Sequence, residues 1–240
     1  MQTVDAESRN PRFPKGLGIK LGEFWSGDLG LTLVTISLVL LVFVVTPFRE
    51  AGVPWRAALD CVIMVLMLFA AFTVKQSRID AIAVSAIVAV TAIVLAGGRF
   101  HPTPPLRELG SVLATITLLV YVRIVLVVMF RGGPVTWSRI QGGISAYLLV
   151  GMAWASAFQI VEQFRPGSFH FVTAPADFDQ LTSKLTYFSF CNLTTLGGEV
   201  AAFSPIARSL TIAEAAMGQL FPAILIGALV AMAMQSRTEA

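Results

Sequence analysis

The sequence predicts an all-α membrane protein with six spanning helices and a re-entrant half-helix between the fifth and the sixth. Three observations carry this. Of the 240 residues, 56% are hydrophobic and 13% are charged, whereas a soluble domain carries about 25% charged residues. The mean hydropathy is +0.78. The apolar residues gather into runs close to the roughly 20 residues that a spanning helix needs, and the last two runs are separated by an unusually long connection.

Residues 1–28 are polar and hold Arg9, Arg12, Lys15 and Lys20. No cleavable signal peptide is expected, because the first apolar run is long enough to span. Five runs follow: Leu29–Thr46, Trp55–Val74, Ala81–Leu95 (the shortest), Leu109–Phe130 and Ile140–Val161; a sixth covers Leu210–Met234. Six crossings put both termini on one side. With that side inside, nine Lys or Arg residues flank the runs within and seven without. This modest excess favours cytoplasmic termini. The expected location is the cell membrane, multi-pass. Residues 1–28 form a cytoplasmic segment, 29–135 a four-helix transmembrane domain, and 136–240 the unit around the half-helix.

The connection between runs five and six covers about 40 residues, where bundle connections usually take roughly 2–8. Its first half, RPGSFHFVTAPADFDQ, reads as a loop from its Pro, Gly and Asp content. Its second half has Leu181, Leu185 and Phe188 at helical spacing behind Asp177 and Asp179, acids that favour a helix N-terminus. This helix of about 14 residues is too short to span. It runs into TTLGGE, and non-helical backbone at membrane depth persists only when buried in protein or lining a watery cavity. The negative C-terminal end of the half-helix, aimed at that turn, favours a cation there. Ser204 and Pro205 then read as the start of the last helix.

The last 60 or so residues resemble the pore domain of prokaryotic potassium channels. In that family a pore helix leads into a T-x-G-Y-G-D filter. The next helix commonly begins S/T-P-x-A-R and carries E-A-x-x-G-Q-L-[FY]. Here Ser204, Pro205, Ala207 and Arg208 match the first pattern, and Glu214, Ala215, Gly218, Gln219, Leu220 and Phe221 match the second. The resemblance implies an outer helix, pore helix, filter and inner helix within 136–240, and a homotetramer in membrane lipid. It makes Thr194, Thr195, Leu196, Gly197, Gly198 and Glu199 the selectivity filter, with permeant K+ or Na+ as the ions at issue. The filter departs from the family pattern, because the Tyr of GYG is missing. Either it is deleted, with Gly198 and Glu199 taking the places of Gly and Asp, or Gly198, Glu199 and Val200 replace Tyr-Gly-Asp. Stacked carbonyl rings carry potassium selectivity, so the expectation is a tetrameric cation channel with weak selectivity. The alternative is a channel-fold scaffold or sensor that does not conduct.

Each residue has a plainer reading beside the functional one. The Thr194–Thr195 pair either caps the half-helix or coordinates ions. Glu199 forms a ring at the mouth or braces the filter from behind. Glu214, about two turns into the last span, faces protein or the outer vestibule, because a carboxylate in lipid is costly. Gly218 serves close helix packing or an inner-helix hinge, and Pro222 marks a kink. Arg123 and Arg131 do not make an Arg ladder, so a strong voltage sensor is not expected. Arg123 is read as a buried or snorkelling charge, with Asp60 and Asp80 as candidate partners. Cys61 and Cys191 are far apart, and His101 and His170 lie in connections, so the sequence offers no metal set. The Gly pairs at 97–98, 132–133 and 142–143 read as turns or tight packing, without the features of a phosphate loop. No enzymatic constellation, cofactor site or nucleic-acid surface is expected.

Overall fold

A computed structural model of the chain describes Thr32 and residues 35–46, 78–100, 103–130 and 136–238. The run Trp55–Val74, the segment 1–28, Asp60, Cys61 and His101 lie outside the described residues, and so does the Gly132–Gly133 pair. The described chain is mostly helical. It comprises α1 (Thr35–Val45), α2 (Arg78–Phe100), α3 (Pro104–Met129), α4 (Trp137–Phe164), β1 (Phe169–Phe171), α5 (Phe178–Leu193), β2 (Val200–Ala202) and α6 (Pro205–Thr238). Among the described residues three helical segments are long and apolar enough to cross a membrane: Pro104–Val127, Arg139–Phe164 and Pro205–Met234.

Local chemistry sets several boundaries. Helix α3 begins before its apolar run, because Thr103 is extended and Pro104–Pro105 occupy the first helical positions, where a missing N–H costs nothing. Helix α6 likewise starts with Pro205, and the Ser204 hydroxyl accepts the Ala207 N–H at 3.2 Å. Helix α2 runs 23 residues, longer than the run Ala81–Leu95. It carries Gly97 and Gly98 inside its last turns, so this pair is not a turn between elements. The pair at 142–143 lies inside α4, where a Cβ on Gly143 would meet the Leu225 side chain at 2.7 Å. The last turn of α1, Leu41–Val45, is π-wound, and Thr46 closes it on the Leu41 carbonyl.

The helices join through two apolar cores. Leu38 of α1, Val84 and Val88 of α2, Tyr121, Ile124 and Val125 of α3, and Ala146, Leu148 and Leu149 of α4 make the first. Hydroxyl pairs cross-link the same helices: Thr35 with Ser145 at 2.7 Å, Thr91 with Thr117 at 2.9 Å and Thr115 with Ser156 at 2.7 Å. Such pairs suit an apolar surrounding, where interhelical hydrogen bonds supplement van der Waals packing.

The second core, Phe158, Phe169, Leu185, Phe188, Val200 and Ala207, gathers α4, α5, α6 and the two strands. Phe158, Phe169 and Phe188 form a closed triangle of rings with centroids 5.2–5.5 Å apart. Strands β1 and β2 pair antiparallel, Phe169 opposite Ala202 and Phe171 opposite Val200. The stretch read from sequence as a plain loop therefore contains a strand, and the described fold is not wholly α. The ribbon ties the start of the α4–α5 connection to the chain just after residue 199.

Candidate functional site

Helix α5 is held at its front by its own first turn. The Asp177 carboxylate accepts the Gln180 N–H at 2.8 Å, and the Gln180 side chain accepts from the Ala176 N–H at 2.9 Å. This is a variant of the reciprocal capping box. The connection leading there is fixed by Glu162, whose two oxygens accept the N–H groups of Gly167 and Phe169 at 2.8 and 3.0 Å. Gly167 sits at φ +84°, a conformation that glycine adopts without penalty. The Ser183 hydroxyl of α5 also donates to the Thr46 carbonyl at the end of α1, at 2.9 Å.

At its far end α5 terminates in a Schellman turn. The Leu196 N–H reaches the Cys191 carbonyl at 2.8 Å and the Thr195 N–H reaches the Asn192 carbonyl at 3.0 Å. Thr195 occupies the left-handed position at φ +57°, usually taken by Gly. The Thr194 hydroxyl donates back to the Phe190 carbonyl at 2.7 Å. Both threonines are thus used in ending the helix. Gly197 is again at positive φ, +77°. Residues 194–199 are all exposed in the single chain, Leu196 at 75%.

Beyond the turn the chain folds back along α5. A Cβ on Gly198 would come 3.5–3.6 Å from Cys191 and Tyr187. Glu199 lines a cavity of about 330 Å³ together with Lys184 and Tyr187 of α5 and Phe171, Val172 and Val200 of the ribbon. The carboxylate therefore lies on the flank of α5. A second, more open cavity of about 430 Å³ lies between the turn and α6, lined by Asn192, Gly197, Gly198, Arg208, Thr211 and Ile212 among others. Arg208 donates to the Ala202 carbonyl at 3.3 Å and lies over the Phe203 ring.

The inner side of α5 rests on α4 and α6 through four hydrogen bonds and one close backbone approach. Glu214 of α6 is fully buried and meets the Ser189 hydroxyl and the Asn192 amide, the latter at 3.3 Å. Ser189 also reaches the Gly151 carbonyl of α4 at 2.7 Å, and the Tyr147 hydroxyl donates to the Leu193 carbonyl at 3.3 Å. Gly218 lies directly against the end of α5: a Cβ there would be 2.2 Å from the Leu193 carbonyl oxygen. Pro222 sits inside the continuous α6. It lacks the N–H that would bond the Gly218 carbonyl.

The structure thus brings the threonine pair, the glycines, Glu214 and Gly218 to one end of α5, and places Glu199 to one side. Sequence reasoning missed Ser189, Tyr147 and Gly151. Gly151 admits the Phe190 ring, which would be 2.7 Å from a Cβ there. The available signal was a small hydroxyl between two phenylalanines in FSF. Arg123 is exposed on α3 in the single chain. Among the described residues no group of three His, Cys, Asp or Glu side chains is placed to hold a metal ion. No family model, curated protein or solved structure matches the chain.

Proposed function

We propose that the chain is one subunit of a homotetrameric, potassium-channel-like cation channel in the cell membrane, with residues 194–199 as a short, weakly selective filter. In this reading the chain has six spans, both termini are cytoplasmic, and α5 is a re-entrant pore helix between an outer helix α4 and an inner helix α6. The observation that carries it is the end of α5. A 16-residue helix, too short to span, directs its negative C-terminal end into an exposed turn with positive φ at Thr195 and Gly197. The described residues of one chain supply one such turn, so a closed ring requires several copies. The turn has no Tyr and only six residues between α5 and β2, which supports fewer carbonyl sites and weaker discrimination between potassium and sodium.

Purified protein reconstituted in vesicles is expected to pass monovalent cations, with bi-ionic reversal potentials showing little preference for potassium over sodium. A strongly potassium-selective current overturns the filter reading. A second reading, a channel-fold scaffold or sensor that does not conduct, draws on the flank position of Glu199, which shares a cavity with Lys184 and Tyr187. Absence of flux from a verified tetramer would favour it.

A further inference from the structure

The Ser189 hydroxyl is within hydrogen-bonding reach of two oxygens, the Gly151 carbonyl at 2.7 Å and Glu214 Oε1. A serine hydroxyl has one proton to donate and two lone pairs to accept with. If Glu214 is ionised, both neighbours are pure acceptors and one contact has no proton in it. If Glu214 is protonated, every contact is satisfied. The carboxyl O–H donates to Ser189 Oγ, Ser189 donates to the Gly151 carbonyl, and the other carboxyl oxygen accepts from Asn192 Nδ2 at 3.3 Å. The surroundings point the same way. Glu214 is 0% exposed, and a buried carboxylate needs a partner charge to offset its lost hydration. The titratable group facing it from α4 is Tyr147, whose hydroxyl is directed to the Leu193 carbonyl. From α5 come the uncharged Ser189 and Asn192. On its own helix Arg208 is occupied with the Ala202 carbonyl and the Phe203 ring. Among the described residues no lysine, arginine or histidine bonds the carboxyl.

We propose that Glu214 is a neutral carboxylic acid at neutral pH, acting as the hydrogen-bond donor that heads a relay through Ser189 to the Gly151 carbonyl and so positions the C-terminal turn of α5 between α4 and α6. The acid spans the junction of three helices. Ser189 is five residues before Thr194, and Gly218, one turn beyond Glu214, abuts the Leu193 carbonyl.

Infrared difference spectroscopy of the full chain in lipid tests it. At neutral pH the wild type is expected to show a protonated-carboxyl stretching band that shifts in heavy water and is lost in Glu214→Gln. Asn192→Ala should move that band to higher frequency, because the acid's carbonyl oxygen loses its donor. Gln can donate to Ser189 and accept from Asn192, so Glu214→Gln should unfold close to the wild-type temperature, whereas Glu214→Leu, with neither group, should unfold well below it. A wild type without the band, or a band unchanged in Glu214→Gln, overturns the proposal whether or not the protein conducts. So does a Gln variant as unstable as the Leu variant.

Discussion

At single residues the sharpest constraint is steric. A methyl group on Gly218 would lie 2.2 Å from the Leu193 carbonyl oxygen and 2.8 Å from its Cα. Both atoms are backbone, so neither can move aside by changing rotamer. Overpacking a tight contact costs about 1–3 kcal/mol and occasionally more, and Gly218→Ala is expected at the upper end, about 3 kcal/mol, by thermal unfolding in detergent. Gly227, nine residues on in the same helix, has nothing within 4 Å of a built Cβ. Gly227→Ala is expected to be neutral or to stabilise by up to about 1 kcal/mol. Equal losses from the two variants would mean that close approach to α5 is not what Gly218 provides. Thr195 presents the opposite case. A β-branched residue at φ +57° carries roughly 1–2 kcal/mol of steric cost that glycine does not. Thr195→Gly should therefore raise stability by about 1 kcal/mol, part of the relief being lost to the freer unfolded chain. In the channel reading the same variant alters permeation, because it softens the backbone of the turn. A destabilised Thr195→Gly would show that the hydroxyl or its methyl holds the turn by a contact that outweighs the strain.

At the level of elements, caps and breakers explain which features were legible. Asp177, Asp179 and the spacing of Leu181, Leu185 and Phe188 place α5 within a few residues of its observed start, because a helix N-cap and an apolar stripe are both local. Ser204–Pro205 does the same for α6. The ribbon was not legible: FHF and VAA are three-residue strands, too short for a period-2 pattern, and they pair across more than 25 residues of chain. Gly97–Gly98 misleads for a related reason, since glycine weakens a helix without forbidding it, and the long helix α2 absorbs the pair. The site was legible in part. The residues at the end of α5 were named from sequence, but the contact of Gly218 with Leu193 and the reach of Ser189 to Gly151 depend on how three helices meet, which no local pattern encodes. Pro222 carries the prediction at this scale. Proline inside a helix costs about 3 kcal/mol through its missing hydrogen bond and its clash with the preceding turn. Its i−4 carbonyl belongs to Gly218, the residue already fixed against α5. Pro222→Ala is expected to restore the ladder and raise the unfolding temperature. In a conducting tetramer whose inner helix hinges here, it should also reduce the open fraction. An unchanged unfolding temperature would mean that the surrounding helix already compensates for the proline.

For the whole molecule the question is what covers α6 and the turn before it. Only 6% of the most apolar window of α6 is buried within the chain, against 61% for α4. Lipid can cover apolar side chains, so exposed Ile212, Leu220, Ile224 and Val230 do not by themselves call for protein. The turn does. Residues 194–199 are exposed and non-helical, and backbone of that kind is tolerated at membrane depth only against protein or a water-filled cavity. Gln219, also exposed on α6, is likewise better placed against water or another chain than against lipid. Copies arranged about an axis beside the end of α5 would meet both needs, with the turns lining a central aqueous path and the inner helices packing around it. In the proposed channel reading the copies number four. Native mass spectrometry from mild detergent is therefore expected to give a species of about four times 25.8 kDa, and the same stoichiometry should persist in lipid discs. Gly218→Ala, by pushing the end of α5 off α6, should lower the tetramer fraction along with the unfolding temperature, whereas Gly227→Ala should leave it intact. A chain that stays monomeric or dimeric in both detergents and discs would remove the closed ring, and with it the proposed lining of a pore by the exposed turn at Thr195.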